Sequence, residues 1–382
     1  MAQQRKLLVL DPIAFPGGSK IATENILRCI DTTQLKIIVI SSDNQSWRWD
    51  GLHSVRLHEP SMLANKEQGL AYFLRHFIIL LNLLWLRIRF GRFQMALGAS
   101  GPGVDLALYL ARPLLGWKII QLIHGPVAHS RTIGRCLNNS HQTHYLPTSH
   151  ASLLSALERI MSSAEAQKTL RGRGFQVLHN GLPTHAWPSL CQVEKPVVYW
   201  AASLLKWKGL DHLLAALSAI PPEQRPEAHI CYIRPKETRL PVSEITTTPL
   251  NIHWHERPEN LDEIRANSNI FISTSKAEPF GLSILEAMAA GHCILIPADG
   301  AYWDHLLTDG HHCIKYRPGD ASDLSTKLLA ISRDSERRNR LGQAARRVAE
   351  NYRAEKNYAN IVAELQGKSI PKVAQVGTTT PA

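Results

Sequence analysis

Two carboxylates, Glu278 and Glu286, stand eight positions apart in the stretch 275–297, SKAEPFGLSILEAMAAGHCILIP. Pro279, Phe280 and Gly281 follow the first. The second lies in an apolar run of helical period that Gly291 is placed to terminate. Ionised carboxylates accept hydrogen bonds from hydroxyl groups. The unpaired amides opening a helix, here near Phe280, Gly281 and Leu282, favour negative charge. The pattern suits a ligand with both phosphates and hydroxyls: a diphosphate on the helix end, a ribose diol on Glu286 and sugar hydroxyls on Glu278. Lys208 in the loop 203–209 supplies a cation for the phosphates. The plainer alternative makes Glu278 a surface acid, Glu286 a helix-face acid and Lys208 a solvated lysine.

Such residues need a scaffold that brings distant loops together. Near the N-terminus a short apolar run, Lys6 to Leu10, hands over through Gly17 and Gly18 to a helical pattern, Ile21–Ile30, and then to the run LKIIVISS. Strand, glycine loop, helix, strand opens a doubly wound α/β domain. The loop is not G-x-G-x-x-G, so a phosphate cradle and a ligand-free turn are equally open readings. FQMALGAS, KIIQLIHG, HQTHYLPTS and FQVLHNG continue the strands. A second series, with VVYWAAS, AHICYIR, NIHWHE, IFISTS and HCILIPAD, follows a proline-containing linker. The expectation is an α/β chain of two Rossmann-like domains facing a deep cleft: residues 1–182, linker 183–196, residues 197–367, and a polar disordered tail 368–382. Ligands of open parallel sheets bind beyond the carboxyl ends of the strands. Gly17–Gly18, His124, Ser203–Gly209 and Ser275–Gly281 all follow strands and should converge there.

Composition restricts the partners. The 382 residues carry 43 Lys and Arg against 32 Asp and Glu, a formal +11. That excess favours an anionic partner, yet no basic-aromatic interleaving points to nucleic acid. Six scattered cysteines without a C-x-x-C pair argue against zinc and against a disulfide framework, and fit a reducing compartment. The apolar part of RKLLVLDP is too short for a secretory signal, so a cytoplasmic location is expected. No Asp-x-Asp and no ligand-spaced His/Asp cluster occurs, so neither metal nor cofactor is expected.

Glu278-Pro-Phe-Gly-Leu-Ser-Ile-Leu-Glu286 resembles the E-x7-E motif of retaining glycosyltransferases of family 4, which have the GT-B fold. PADGAYWDHLLTDGHHCIKYRPGD, with Asp304, is similar to the family's continuation. Asn180-Gly181, Lys208-Gly209 and His124-Gly125 resemble further family positions. The likeness runs from about 197 to 350 and is thinner before that. It implies a metal-independent retaining transferase of the hexosyltransferase type, moving a sugar from a nucleotide-diphosphate donor to a hydroxyl acceptor. The setting implied is surface polysaccharide, lipopolysaccharide or glycolipid synthesis. Glu278 would contact the donor sugar, Glu286 the ribose, and His124 would sit near the anomeric carbon. Lys208 and the Phe280, Gly281 and Leu282 amides would meet the diphosphate, with Gly17 and Gly18 closing from the other domain. The chain departs from the family at Ser203, where an arginine is usual; either Lys206 replaces that charge or the diphosphate is held more weakly. It departs again at CYIRPKE, which stands in place of a glycine-rich strand end and offers Arg234 as a further candidate to face the cleft. The rival readings are a GT-B epimerase or phosphorylase-like enzyme, and a basic binding protein without activity.

LAYFLRHFIILLNLLWLRIRFGR, within 70–92, is apolar and basic. On a helical wheel Arg75, Asn82 and Arg89 form one stripe, and Phe73, Phe77, Leu81, Leu84 and Ile88 form the opposite face. Such a helix either lies on an anionic membrane surface from the cytoplasmic side or packs its apolar face on the sheet.

Overall fold

The computed structural model describes every residue except 1–3, 15, 16, 44, 45, 65, 67, 236, 237, 239, 246–250 and 369–382. The expected tail 368–382 therefore falls, beyond Lys368, outside the described residues. Runs such as LLVL and IIVI are apolar without alternation, which marks strands covered on both faces. They build two parallel sheets. The first comprises β1 (Arg5–Asp11), β2 (Leu35–Ser41), β3 (Leu52–Arg56), β4 (Met95–Gly98), β5 (Lys118–Ile123), β6 (Gln142–Tyr145) and β7 (Phe175–Val177), in the order β3-β2-β1-β4-β5-β6-β7. The second comprises β8 (Val197–Ser203), β9 (Glu227–Ile233), β10 (Ile252–Glu256), β11 (Ile270–Ile272), β12 (Cys293–Pro297) and β13 (Ile314–Tyr316), in the order β10-β9-β8-β11-β12-β13. The order reverses beside β1 in one sheet and beside β8 in the other. The loops leaving β1, β8 and β11 thus open at the two switch points, where such sheets bind ligands. The strands β3 and β13 were not expected. The first is a half-exposed edge, and the second is only three residues long.

The chain does not end in the domain where the second series places it. Tyr358, Ile361 and Leu365 pack with Leu27 and Ile30 in the core of the first sheet. The Gly181 amide donates to the Tyr358 hydroxyl at 2.9 Å, and Leu182 exchanges backbone bonds with Tyr352 and Ala354. A Cβ on Gly181 would lie 2.7 Å from Ala354 Cα, so only glycine allows this crossing. The helix Ala359–Leu365, expected within 197–367, is structurally part of the first domain. Its apolar stripe finds its complement there.

The helix Gly69–Phe90 packs on the first sheet by an unexpected face. Ile79, Leu83 and Leu86 join Leu8, Ile38 and Ile40 in the core. Arg75 is buried, and its Nε lies 2.8 Å from a Glu59 carboxylate oxygen. Asn82 bonds the backbone of His58. Arg75 and Asn82 are therefore turned toward the protein, while Arg89 and the apolar Phe73, Phe77, Leu81 and Ile88 are exposed.

Candidate active site

One cleft of about 620 Å³ is lined by both domains. From the first sheet come Gly17, Gly18 and Ser19 after β1, and His124 after β5. From the second come Ser203 at the end of β8, Lys208 after it, and Glu278, Phe280, Gly281, Leu282 and Glu286 after β11. Across it the Thr148 hydroxyl donates to the Pro279 carbonyl at 2.9 Å, and His179 Nδ1 meets the Tyr302 hydroxyl at 2.7 Å.

Two helices open onto this cleft. Gly18–Arg28 starts at Gly17, with no side chain capping it, and its first backbone bond is Ile21 N–H to Gly17 O. The amides of Gly18 and Ser19 precede that bond and lie at the cleft wall. A Cβ on Gly18 would meet nothing within 4 Å. Leu282–Ala289 starts at Gly281, whose φ of 77° is left-handed. A Cβ there would lie 2.8 Å from Ile284 Cδ1 and 3.0 Å from Glu278 Cγ. Glycine is thus required to bring the first acid against the helix start. The amides of Leu282 and Ser283 precede the first intrahelical bond, Ile284 N–H to Gly281 O.

Charge is arranged in two pairs. Lys208 Nζ lies 2.5 Å from Glu278 Oε2, and both side chains are mostly buried. Lys208 also rests over the Trp207 ring at 4.1 Å. Glu286 Oε2 accepts from Arg265 Nη2 at 2.8 Å, while Arg265 Nη1 holds Asp262 at 2.9 Å. Arg265 is buried and escaped the sequence reading, because nothing in LDEIRANS shows which helix its guanidinium faces. Arg257, which also lines the cleft, was missed too. Its place directly after β10 was the available signal.

His124 is half-buried at the cleft wall, and desolvation pulls its imidazole down to about 4, so it is neutral near pH 7. Its Nε2 lies 3.2 Å from the Thr23 hydroxyl, which itself donates to Ser19 O at 3.0 Å. That relay places the ring proton on Nε2 and leaves Nδ1, buried without a partner among the described residues, as an acceptor.

One expectation needs correction. Lys206 does not reach the cleft; Asp211 holds its Nζ at 3.0 Å on the surface, so it does not replace an arginine at Ser203. Phe280 can offer the cleft only its backbone, the part the sequence reading named. Its ring is buried against Tyr302, Trp303 and Tyr352, with centroids at 4.7, 5.2 and 6.0 Å. Arg234, outside the cleft lining, lies 3.7 Å from Glu256. Asp304 pairs with Lys315 at 2.7 Å. Among the described residues no three metal-ligating side chains converge.

Residues 184–348 match the model of the family described as glycosyl transferases group 1. That match falls largely within the second domain. The chain is 26% identical over 252 residues to sulfoquinovosyl transferase SQD2 of Arabidopsis thaliana, covering 64% of this chain and 45% of that protein. It spans less than half the length of the curated relatives it matches. Among solved structures, Anabaena Alr3699/HepE in complex with UDP and glucose superposes with a TM-score of 0.71 at 15% identity, over 95% of this chain and 100% of the other. The lipopolysaccharide outer core galactosyltransferase WaaB does so with a TM-score of 0.61 at 14% identity, over 94% and 99%. At these identities the structures show the fold, which is GT-B.

Proposed function

We propose that the chain is a retaining, metal-independent glycosyltransferase that moves a hexose from a nucleotide-diphosphate donor to a hydroxyl acceptor. One observation carries this reading: a cation, two carboxylates and two uncapped helix starts from opposite domains line a single cleft. Lys208 and the amides of Leu282 and Ser283 meet the diphosphate and stabilise the charge that builds on it as the glycosidic bond breaks. The Gly17–Gly18 helix start approaches the same charge from the other domain. Glu286, fixed by Arg265, accepts from the ribose diol. Glu278 accepts from sugar hydroxyls, and a negative group beside a sugar that is gaining positive charge favours the transition state over the ground state. His124, neutral, stands at the cleft wall beside the sugar without adding charge there. The structural relative with UDP and glucose bound supports a donor of this class. The relative acting in lipopolysaccharide synthesis supports a surface-glycan or glycolipid acceptor.

The test is release of nucleoside diphosphate from a panel of nucleotide sugars, with the anomeric configuration of the product read by NMR. Acceptor-dependent release with retained configuration is expected. Conversion of the donor to its epimer without an acceptor would establish the epimerase instead. No binding and no turnover of any nucleotide sugar would leave the basic binding protein.

A further inference from the structure

The helix Gly69–Phe90 turns seven large apolar side chains to solvent: Leu70, Phe73, Leu74, Phe77, Leu81, Trp85 and Ile88. At about 100° per residue they fall within an arc of about 120°. Leu70 and Ile88 are 85% exposed, and Trp85 is 45% exposed. The opposite arc holds Arg75, Ile79, Leu83 and Leu86 against the sheet. Arg87 and Arg89 lie on either side of the exposed arc, and the Arg89 guanidinium sits 5.2 Å from the Trp85 ring centre. The surface continues onto the helix Leu106–Leu115, where Leu110 and Leu114 are exposed. Between the helices Leu106–Leu115 and Arg131–Asn139, with Phe73 at its edge, a cavity of about 850 Å³ is walled by Leu110 and Trp117, with Arg112, Lys118 and Arg135 also lining it. Contiguous apolar patches of this kind mark a contact surface.

We infer that this face docks on an anionic lipid bilayer. Charge selects the partner. From Gln68 to Leu157 the sequence has one acid, Asp105, against eight lysines and arginines. Asp105 is buried, and of the eight bases only Arg75 is ion-paired with a described carboxylate. A second copy presenting this same one-signed surface would be repelled, whereas anionic headgroups are attracted. The helix is long enough to cross a membrane by length and composition. Its Arg75–Glu59 pair and its packed Ile79, Leu83 and Leu86 hold it flat on the sheet instead, so it enters only the headgroup and upper acyl region. The cavity beside Phe73 gives an acyl chain a place to enter, with basic side chains within reach of its phosphate. The helix N-terminus lies at the carboxyl edge of the sheet: Tyr72 donates to Gly103 O, beyond the end of β4, at 2.7 Å. That is the edge on which the cleft opens, so an acceptor held in the bilayer surface is presented toward it.

Co-sedimentation of the full chain with vesicles decides the matter. Phosphatidylglycerol–phosphatidylcholine vesicles should retain the protein at low salt and release it as salt rises, because exposed charges are screened within about 10 Å at 0.1 M. Pure phosphatidylcholine should retain far less. The triple substitution Arg87→Ser, Arg89→Ser, Arg92→Ser should lower partitioning by about a hundredfold. Leu81→Ser with Ile88→Ser should lower it on both lipids and should not shift the thermal melt, since both side chains are exposed. No retention on anionic vesicles at low salt overturns the inference. So does a stable dimer by light scattering that Leu81→Ser with Ile88→Ser dissociates. Turnover of a nucleotide sugar is measured without vesicles, so the docking inference and the transferase reading fail separately.

Discussion

Lys208 and Glu278 form an ion pair at the centre of the cleft, with Nζ 2.5 Å from Oε2. The lysine comes from the turn after β8, and the acid from the loop after β11. Each is the other's charge partner, so on the proposed reading a donor diphosphate would compete with Glu278 for Lys208 and leave the carboxylate to the sugar. Lys208→Met should raise the KM for the donor ten- to a hundredfold, from losing a charge-assisted bond of about 1.5–3 kcal/mol. Each single substitution, Lys208→Met or Glu278→Gln, strands a mostly buried group. The double variant should therefore melt closer to wild type than the sum of the singles implies. Strict additivity in melting, with unchanged KM, would show that the pair is a surface accident.

Arg265 makes Glu286 a poor site for alanine. Glu286→Ala leaves a buried guanidinium with Asp262 alone. Breaking a fully buried pair costs about 3–5 kcal/mol, and with Glu286 partly exposed about 2 kcal/mol is the expected loss. The expected result is a lower Tm together with weaker donor binding. Glu286→Gln keeps an acceptor for Arg265 and should separate the two effects, with Tm near wild type and donor affinity reduced. Arg265→Met touches no ligand but should weaken donor binding by freeing Glu286. Equal donor Kd in wild type and Arg265→Met would refute that positioning role.

The parts of the site legible in the sequence were those fixed by strand ends. Glu278, Lys208, His124 and the Gly17–Gly18 turn each follow an apolar run, and parallel sheets deliver such positions to one edge. Tertiary pairing was not legible. Lys206 and Lys208 are two residues apart on one turn, and only the structure shows that Asp211 takes the first and Glu278 the second. The orientation of Gly69–Phe90 was hidden for a different reason. That helix is apolar nearly all round, so the wheel cannot choose an inner face. The buried Arg75–Glu59 pair inverts the usual rule that the arginine side faces water. The return of Ala359–Leu365 to the first domain was equally invisible, since its short apolar stripe fits either sheet.

Stability should fall with acid below neutrality. Burial pulls His76 and His124 down to about 4 and His292 to about 3, against about 6.5 in an unfolded chain. Between those values the unfolded state binds protons that the native state does not. Stability is then lost as pH falls from about 6.5 toward 4, by up to about 1.4 kcal/mol per pH unit for each such histidine. Urea midpoints at pH 7, 6 and 5 should decline in that order, and His76→Phe should flatten part of the decline. Constant midpoints over this range would contradict the buried neutral state of these rings.

Activity should survive EDTA. The diphosphate charge is assigned here to Lys208 and to amides rather than to a cation. Turnover before and after chelation, with magnesium or manganese added back, checks it. A strict requirement restored by either ion would move the phosphate site elsewhere.

Gly281 tests whether the helix start and the first acid act as one unit. Its φ of 77° is strained for any side chain, and a Cβ would press on Ile284 Cδ1 and on Glu278 Cγ at 2.8 and 3.0 Å. Gly281→Ala must therefore shift either the helix start or the Glu278 side chain. The left-handed conformation alone costs about 1 kcal/mol or more, which should lower the melt by a few degrees. The displaced acid and amides act on the sugar and the diphosphate together, so kcat should fall and the donor KM should rise in the same variant. Gly18→Ala is the matched control: its Cβ enters open space and should leave the melt unchanged while crowding the donor from the other domain. If Gly281→Ala lowers the melt but keeps full kcat and KM, the geometry of this turn serves folding alone, and the placement of Glu278 against the helix start has no part in transfer.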